Sequence, residues 1–292
     1  MPLRITIDIF TGRSNPVLEL SGKEASEALE RLRPARPVTR QEAAAPFEAA
    51  LGYRGLLIEQ IGTLARGLPR FFRVFDGRLF GARLAHRATD EEFEEFVVRR
   101  AGQLNVGKGF ADYLRQEIAR ARRNYAGLLL WKPPHWSGKS HCHCAPLYEP
   151  LWWNDGWGGQ KQPNNNCYNY ATNYRSDTFA QPGRAAGAMY TSLTCASVRP
   201  AAIADSLIDA PTANNKCPKE GHLVALVIAP GWDFHWYRKG RNGYWSHKPG
   251  STPVVNIDGS GNLIPDPRTA NRGPYTDFCT FMVVMHGHIK IN

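Results

Sequence analysis

The first 124 residues contain no cysteine, no tryptophan and one of the nine histidines, so nothing there gathers groups able to do thiol or metal chemistry. No apolar run approaches the ~20 residues of a membrane span, and none is expected. "MPLRITIDIF" alternates like a strand and lacks a signal-peptide core and cleavage site. The expectation is a cytoplasmic protein, with export by another route left open. No block of Lys or Arg stands out, although the net charge is +10. Residues 1–124 carry 21 basic and 16 acidic side chains and residues 125–292 carry 15 and 10, so the excess is diffuse. A nucleic-acid partner is not expected, while attraction to an anionic surface such as cell-wall polymer is compatible with this charge. Internal repeats and low-complexity segments are also missing.

What is present divides the chain in two. A length of 292 residues suits two domains, and composition changes near residue 125, after which all six cysteines and all eight tryptophans lie. Residues 1–124 read as a small α/β domain. "RITIDIF" predicts a strand, and "SGKEASEALERL" a helix with Ser21 as N-cap and Glu24 closing a capping box. "FFRVFDGRLF" predicts strand–turn–strand about Asp76-Gly77. "TDEEFEEFVVRRAG" and "GFADYLRQEIARARRNY" predict helices, the first with acids at its start and arginines at its end, as the macrodipole favours. Its expected role is docking of a partner protein through 1–124 or presentation of a substrate, with a structural appendage as the alternative.

Residues 125–292 are loop-rich. Predicted strands are "GHLVALVIAPG" (221–231), "DFHWYRK" (233–239), "GYWSHK" (243–248) and "TPVVNI" (252–257), spaced like an antiparallel meander, with "FCTFMVVMHGHIKI" closing. With a helix beginning at Cys167, the class is α+β.

"PNNNCYNYATNY" places that thiol at a helix start, with Tyr170, Ala171 and Tyr174 following at helical spacing. Asn166 is the expected cap. First-turn amides and the dipole stabilise a thiolate and can hold an oxyanion, with Asn164 and Asn165 as further donors. Alternation along "DFHWYRK" puts Phe234 and Trp236 on one face and His235 and Tyr237 on the other. A short turn returns His247 to the neighbourhood of His235 or Trp236. His235 is the expected base for Cys167 and His247 its orienter, with Asp258 or Asn256 as rival third members.

Cys167 in "NNNCYNYA", His235 in "DFHWYR" and His247 in "GYWSHKPG" resemble the three motifs of papain-like cysteine peptidases, closest in spacing to NlpC/P60-type domains. The resemblance covers residues 160–250 and implies a helix-start cysteine packed on an antiparallel sheet, a strand histidine and a polar third residue. It implies cleavage of a peptide or amide bond through an acyl-enzyme. Asn-Cys-Tyr-Asn replaces the usual Asp-Cys-Ser-Gly, and the gap from Cys to His is longer. A separate papain-like branch fits better than a cell-wall hydrolase. Transglutaminase-like acyl transfer shares the chemistry, and a catalytically silent binding domain shares the fold.

Two other clusters compete for attention. "HWSGKSHCHC" (135–144) offers zinc donors at His141, Cys142, His143 and Cys144, but not at the usual Cys-x2-Cys spacing, so no cofactor is the main expectation. Disulfides among Cys142, Cys144, Cys195 and Cys217 are the alternative, and would suit an oxidising compartment. The tryptophans, Trp236 and Trp245 among them, either line a substrate groove with Tyr237 or cover the core.

Overall fold

The computed structural model describes residues 2–82, 84–130, 132, 142–156 and 158–292. It forms two compact units. The first comprises the chain to Ile9, Asn15–Phe47 and the stretch from Gly52 through the long helix that follows; the second comprises Phe10–Ser14, Glu48–Leu51 and the chain from Lys132 onward. The composition break near residue 125 falls inside that helix.

The first unit contains β1 (Leu3–Asp8), β2 (Val17–Leu20), α1 (Gly22–Arg31), β3 (Pro34–Pro37), α2 (Arg40–Ala44), β4 (Gly55–Gln60), β5 (Phe71–Phe75), β6 (Arg78–Gly81), β7 (Leu84–Ala88), α3 (Phe93–Ala101) and α4 (Phe110–Leu128). Its sheet runs β2-β1-β4-β5-β6-β7-β3. All of its pairings are antiparallel, which corrects the α/β expectation to α+β. β5 to β6 and β6 to β7 are joined by two-residue connections, far short of the dozen or more residues that a parallel crossover would need. The capping box also moves. Ser21 makes no side-chain cap bond, whereas Thr39 and Glu42 satisfy each other's backbone amides at the start of α2. Asp8 is fully buried between Arg54 (2.5 Å) and Arg73 (2.8 Å). Burial alone would raise its carboxyl, but the two guanidiniums hold it below the ordinary range.

The second unit contains α5 (Pro150–Trp153), α6 (Cys167–Thr172), α7 (Cys195–Ala204), β8 (Ile208–Asp209), β9 (His222–Ala229), β10 (Asp233–Lys239), β11 (Trp245–His247) and β12 (Asp277–Val284). The sheet order is β11-β10-β9-β12-β8, so β9 to β11 form the meander and the closing strand pairs on the far side of β9. β9 is buried along its whole length, as its continuous apolar run requires of a central strand. "TPVVNI" forms only isolated bridges, His247 with Val255 and Ile257 with Leu263, in place of the expected strand. α6 is also shorter than its spacing suggests. Asn173 takes a left-handed conformation (φ 54°) that ends it, leaving Tyr174 outside and exposed. One core, on the α6 side of the sheet, joins Cys167, Tyr168, Val224, Leu226, Phe234 and Trp236. The other holds Ala225, Val227, Tyr237, Trp245, Tyr275 and Phe281.

Disulfides tie Cys142 to Cys217 and Cys195 to Cys279. Cys144 is free and exposed, and Cys167 is free and buried. The expected set was therefore right for Cys142, Cys195 and Cys217, but it included Cys144 and missed Cys279.

A buried thiol and a histidine pair

Asn166 caps α6 by accepting from the N–H groups of Tyr168 (3.0 Å) and Asn169 (3.1 Å). Asn169 accepts in return from the Asn166 amide (3.1 Å). This box fixes Cys167 as the first helical residue, and it also occupies two of the amides expected to steady a thiolate or an oxyanion. Asn164 and Asn165 are spent locally: Asn164 donates to the Gln160 carbonyl, and Asn165 donates to Lys161 O and Asp177 Oδ1. Only the Asn166 side chain reaches a distant segment, donating to Gly12 O at 2.7 Å as well as to Ala180 O. Lys248 anchors the loop before the helix, its buried ammonium donating to the carbonyls of Gln162, Asn165 and Gly250. In sequence it reads as an ordinary turn lysine.

The β10–β11 register pairs Tyr237 with His247, which places His247 diagonally across from His235. His235 Nε2 and His247 Nδ1 are 2.9 Å apart, and His247 Nε2 is 2.9 Å from the Ile257 carbonyl. A carbonyl only accepts, so His247 carries its proton on Nε2. Its Nδ1 then accepts from His235 Nε2–H. For two neutral rings this leaves His235 Nδ1 bare, and the Thr11 hydroxyl lies 2.9 Å from it. An imidazole with its lone pair on the nitrogen away from a second, orienting imidazole is an arrangement that can serve general-base chemistry.

Cys167 lies in the core with Phe234 and Trp236, while the His235 ring packs on Tyr237, His247 and Tyr275. Thiol and imidazole thus approach β10 from opposite faces, and Thr11 lies between them. Its hydroxyl contacts His235 and also favours the charged form of the Cys167 sulfur, as does the Trp236 amide. These effects are outweighed. Burial, reinforced by the Asp233 carboxylate, raises the thiol well above its ordinary value, so Cys167 is protonated at neutral pH. The expected depression by the helix terminus is therefore not present in this state. Sequence reading missed Thr11 because it lies 224 residues from His235, in a stretch that otherwise builds the first unit.

The remaining candidates divide. Trp236 and Trp245 are fully buried, Trp236 against Tyr168 and Trp245 against Phe281 with its N–H on Asn215, so both are core residues and not a groove lining. The Tyr237 hydroxyl is buried and has no hydrogen-bond partner among the described residues; burial raises its pKa, keeping it a donor. Asp258 serves a turn, accepting from the amides of Ser260, Asn262 and Asn271. Asn256 is half-buried, and His247 holds the orienting position against His235. Of the zinc donors, Cys142 is consumed by its disulfide and His141 lies outside the described residues. Among the described residues no group of three or more His, Cys, Asp or Glu is placed to hold a metal ion.

Fold and site together define a two-unit α+β protein whose disulfide-linked second unit buries a Cys–Thr–His–His cluster beside its central sheet. No protein-family model matches the chain, and no solved structure matches it. It is 48% identical over 143 residues to insoluble matrix shell protein 1 of Ruditapes philippinarum, a match spanning 48% of this chain and 91% of that protein. The chain belongs to the family of that shell protein.

Proposed function

We propose that the second unit is a thiol hydrolase of peptide or amide bonds, held in a closed state. The observation that carries this reading is the chain of contacts Ile257 carbonyl–His247–His235, which for two neutral rings leaves His235 Nδ1 unprotonated beside the Thr11 hydroxyl that also acts on Cys167. Once Thr11 withdraws, His235 takes the Cys167 proton and the thiolate attacks a substrate carbonyl. The proton on His235 passes to the leaving amine, and water, deprotonated by the same nitrogen, releases the acyl group and restores the thiol. The Asn166 amide and Tyr237 hydroxyl are the donors for the developing oxyanion. A papain-like fold is part of this proposal, supported by the helix-start cysteine and the strand histidines. Acyl transfer to a second amine is the same chemistry with a different acceptor. The disulfides suit an oxidising compartment rather than the cytosol.

A second reading draws on the family. A matrix constituent without turnover is favoured by the name of the Ruditapes philippinarum protein and by the complete burial of Cys167. Mass-spectrometric assay of a peptide mixture, with and without an added amine, separates the readings. Hydrolysis or transfer should disappear in Cys167→Ala while the fold persists. No turnover from chains whose Cys167 demonstrably alkylates under the same conditions rules out the hydrolase and leaves the matrix reading.

A further inference from the structure

Phe10–Ser14 belong to the second unit, although β1 and β2, which flank them in sequence, belong to the first. The backbone of this segment is held as a ligand would be. Three consecutive amides, of Thr11, Gly12 and Arg13, converge on the buried Asp233 carboxylate. The Gly12 carbonyl accepts from two side-chain amides, Asn166 Nδ2 at 2.7 Å and Gln181 Nε2 at 2.8 Å, and Tyr190 holds Gln181 through its other end. The Thr11 hydroxyl takes the place between imidazole and thiol. Glycine is required for space: a Cβ on Gly12 would stand 2.4 Å from the Phe234 ring and 2.5 Å from the Phe234 carbonyl oxygen. A carboxylate on successive N–H groups and paired amides on one carbonyl are how peptide backbones are recognised irrespective of side chain.

We propose that Thr11–Gly12–Arg13 is an intramolecular occupant of the substrate site, seated as a glycine-containing peptide would be, and that its departure exposes Cys167. Calling it a substrate site rests on the hydrolase reading; the occupancy itself does not. The segment is autoinhibitory, and the chemical class admitted when it leaves is a peptide with glycine at the doubly held carbonyl.

The test uses the full-length, disulfide-intact chain. Iodoacetamide alkylation is followed by mass spectrometry, with exposed Cys144 as the internal fast standard, beside hydrogen exchange on the same sample. In the wild type, Cys167 should alkylate through an opening shared with the amides of residues 11–13, about tenfold or more frequent than the opening of β9. Gly12→Ala should accelerate Cys167 alkylation about tenfold or more with β9 protection unchanged. If Cys167 in the wild type reacts only as often as β9 opens, the segment is permanent core and the inference is overturned; that arm stands even if Gly12→Ala fails to fold. In the Gly12→Ala chain, acetyl-Phe-Thr-Gly-Arg-Ser-amide should slow alkylation and the peptide with alanine for glycine should not; equal effects overturn the glycine requirement. Turnover is scored separately. A thiol freed by Gly12→Ala without turnover refutes the hydrolase and leaves the occupant in place, whereas equal turnover in wild type and Gly12→Ala removes the occupant and leaves the hydrolase.

Discussion

His235 and His247 fill interior space that apolar side chains would fill at lower desolvation cost, and each is retained through hydrogen bonds with one consistent direction. Nitrogen-15 NMR should find His235 protonated on Nε2 and bare on Nδ1 at neutral pH; the opposite tautomer would remove the base from the site. His247→Ala leaves the His235 Nε2–H buried without its acceptor and should cost about 1–3 kcal/mol in a denaturant melt. Turnover should fall at the same time by about 10²–10⁴-fold. His222 makes a separate prediction. Burial lowers its pKa to about 3, with Arg238 and His286 pushing the same way against the Ala171 carbonyl, 2.7 Å from Nε2. An unfolded imidazole protonates near its ordinary 6.5. Between those values the unfolded chain binds the extra proton, so stability is lost as pH falls through that window. The full effect is on the order of 5 kcal/mol. His222→Gln should flatten the slope, and an unchanged slope in urea melts between pH 6 and 4 would assign it elsewhere.

Among the elements, α4 carries a conflict of its own. Its buried stripe of Phe110, Leu114, Ile118, Ala121 and Tyr125 includes Glu117, whose carboxyl burial raises to about 7 despite the opposing charge of Arg120. A raised carboxyl keeps its proton in the fold after the unfolded chain has lost it. Stability contributed by the neutral form is therefore present at acid pH and lost as pH rises from 4.5 toward 7. Glu117→Gln should stabilise by up to about 3 kcal/mol at pH 8 and by little at pH 4. Equal gains at both would show that charge burial is not the cause. At α7 and β12, the bond between Cys195 and Cys279 closes a sequence separation of 84 residues. Replacing both cysteines by alanine should cost about 2–4 kcal/mol, less than a lone cross-link of that span, because the loop overlaps that of Cys142–Cys217. Thermal melts of the double variant check it.

For the whole molecule, the cross-links are unevenly placed. Both lie in the second unit, and the first contains no cysteine. Calorimetry under reducing conditions should move only the transition of the second unit to lower temperature. A joint shift would mean that the two units unfold as one. No helix among the described residues is long and apolar enough to cross a membrane.

Patterns that repeat over a few residues were readable from the chain. The period-two alternation of "DFHWYRK" assigned faces to Phe234, His235, Trp236 and Tyr237, the hairpin turn returned His247 to the neighbourhood of His235 or Trp236 with the register left to the structure, and the asparagine before Cys167 announced a capped helix. Each depends on backbone geometry that neighbouring residues settle among themselves. Tertiary structure decided the rest: the insertion of Thr11 beside His235, the pairing of Cys279 with Cys195, the loss of a strand at residues 252–257 and the burial that keeps the Cys167 thiol protonated. These arise from segments scores to hundreds of residues apart competing for one interior, where desolvation and steric fit act and no local pattern records the outcome.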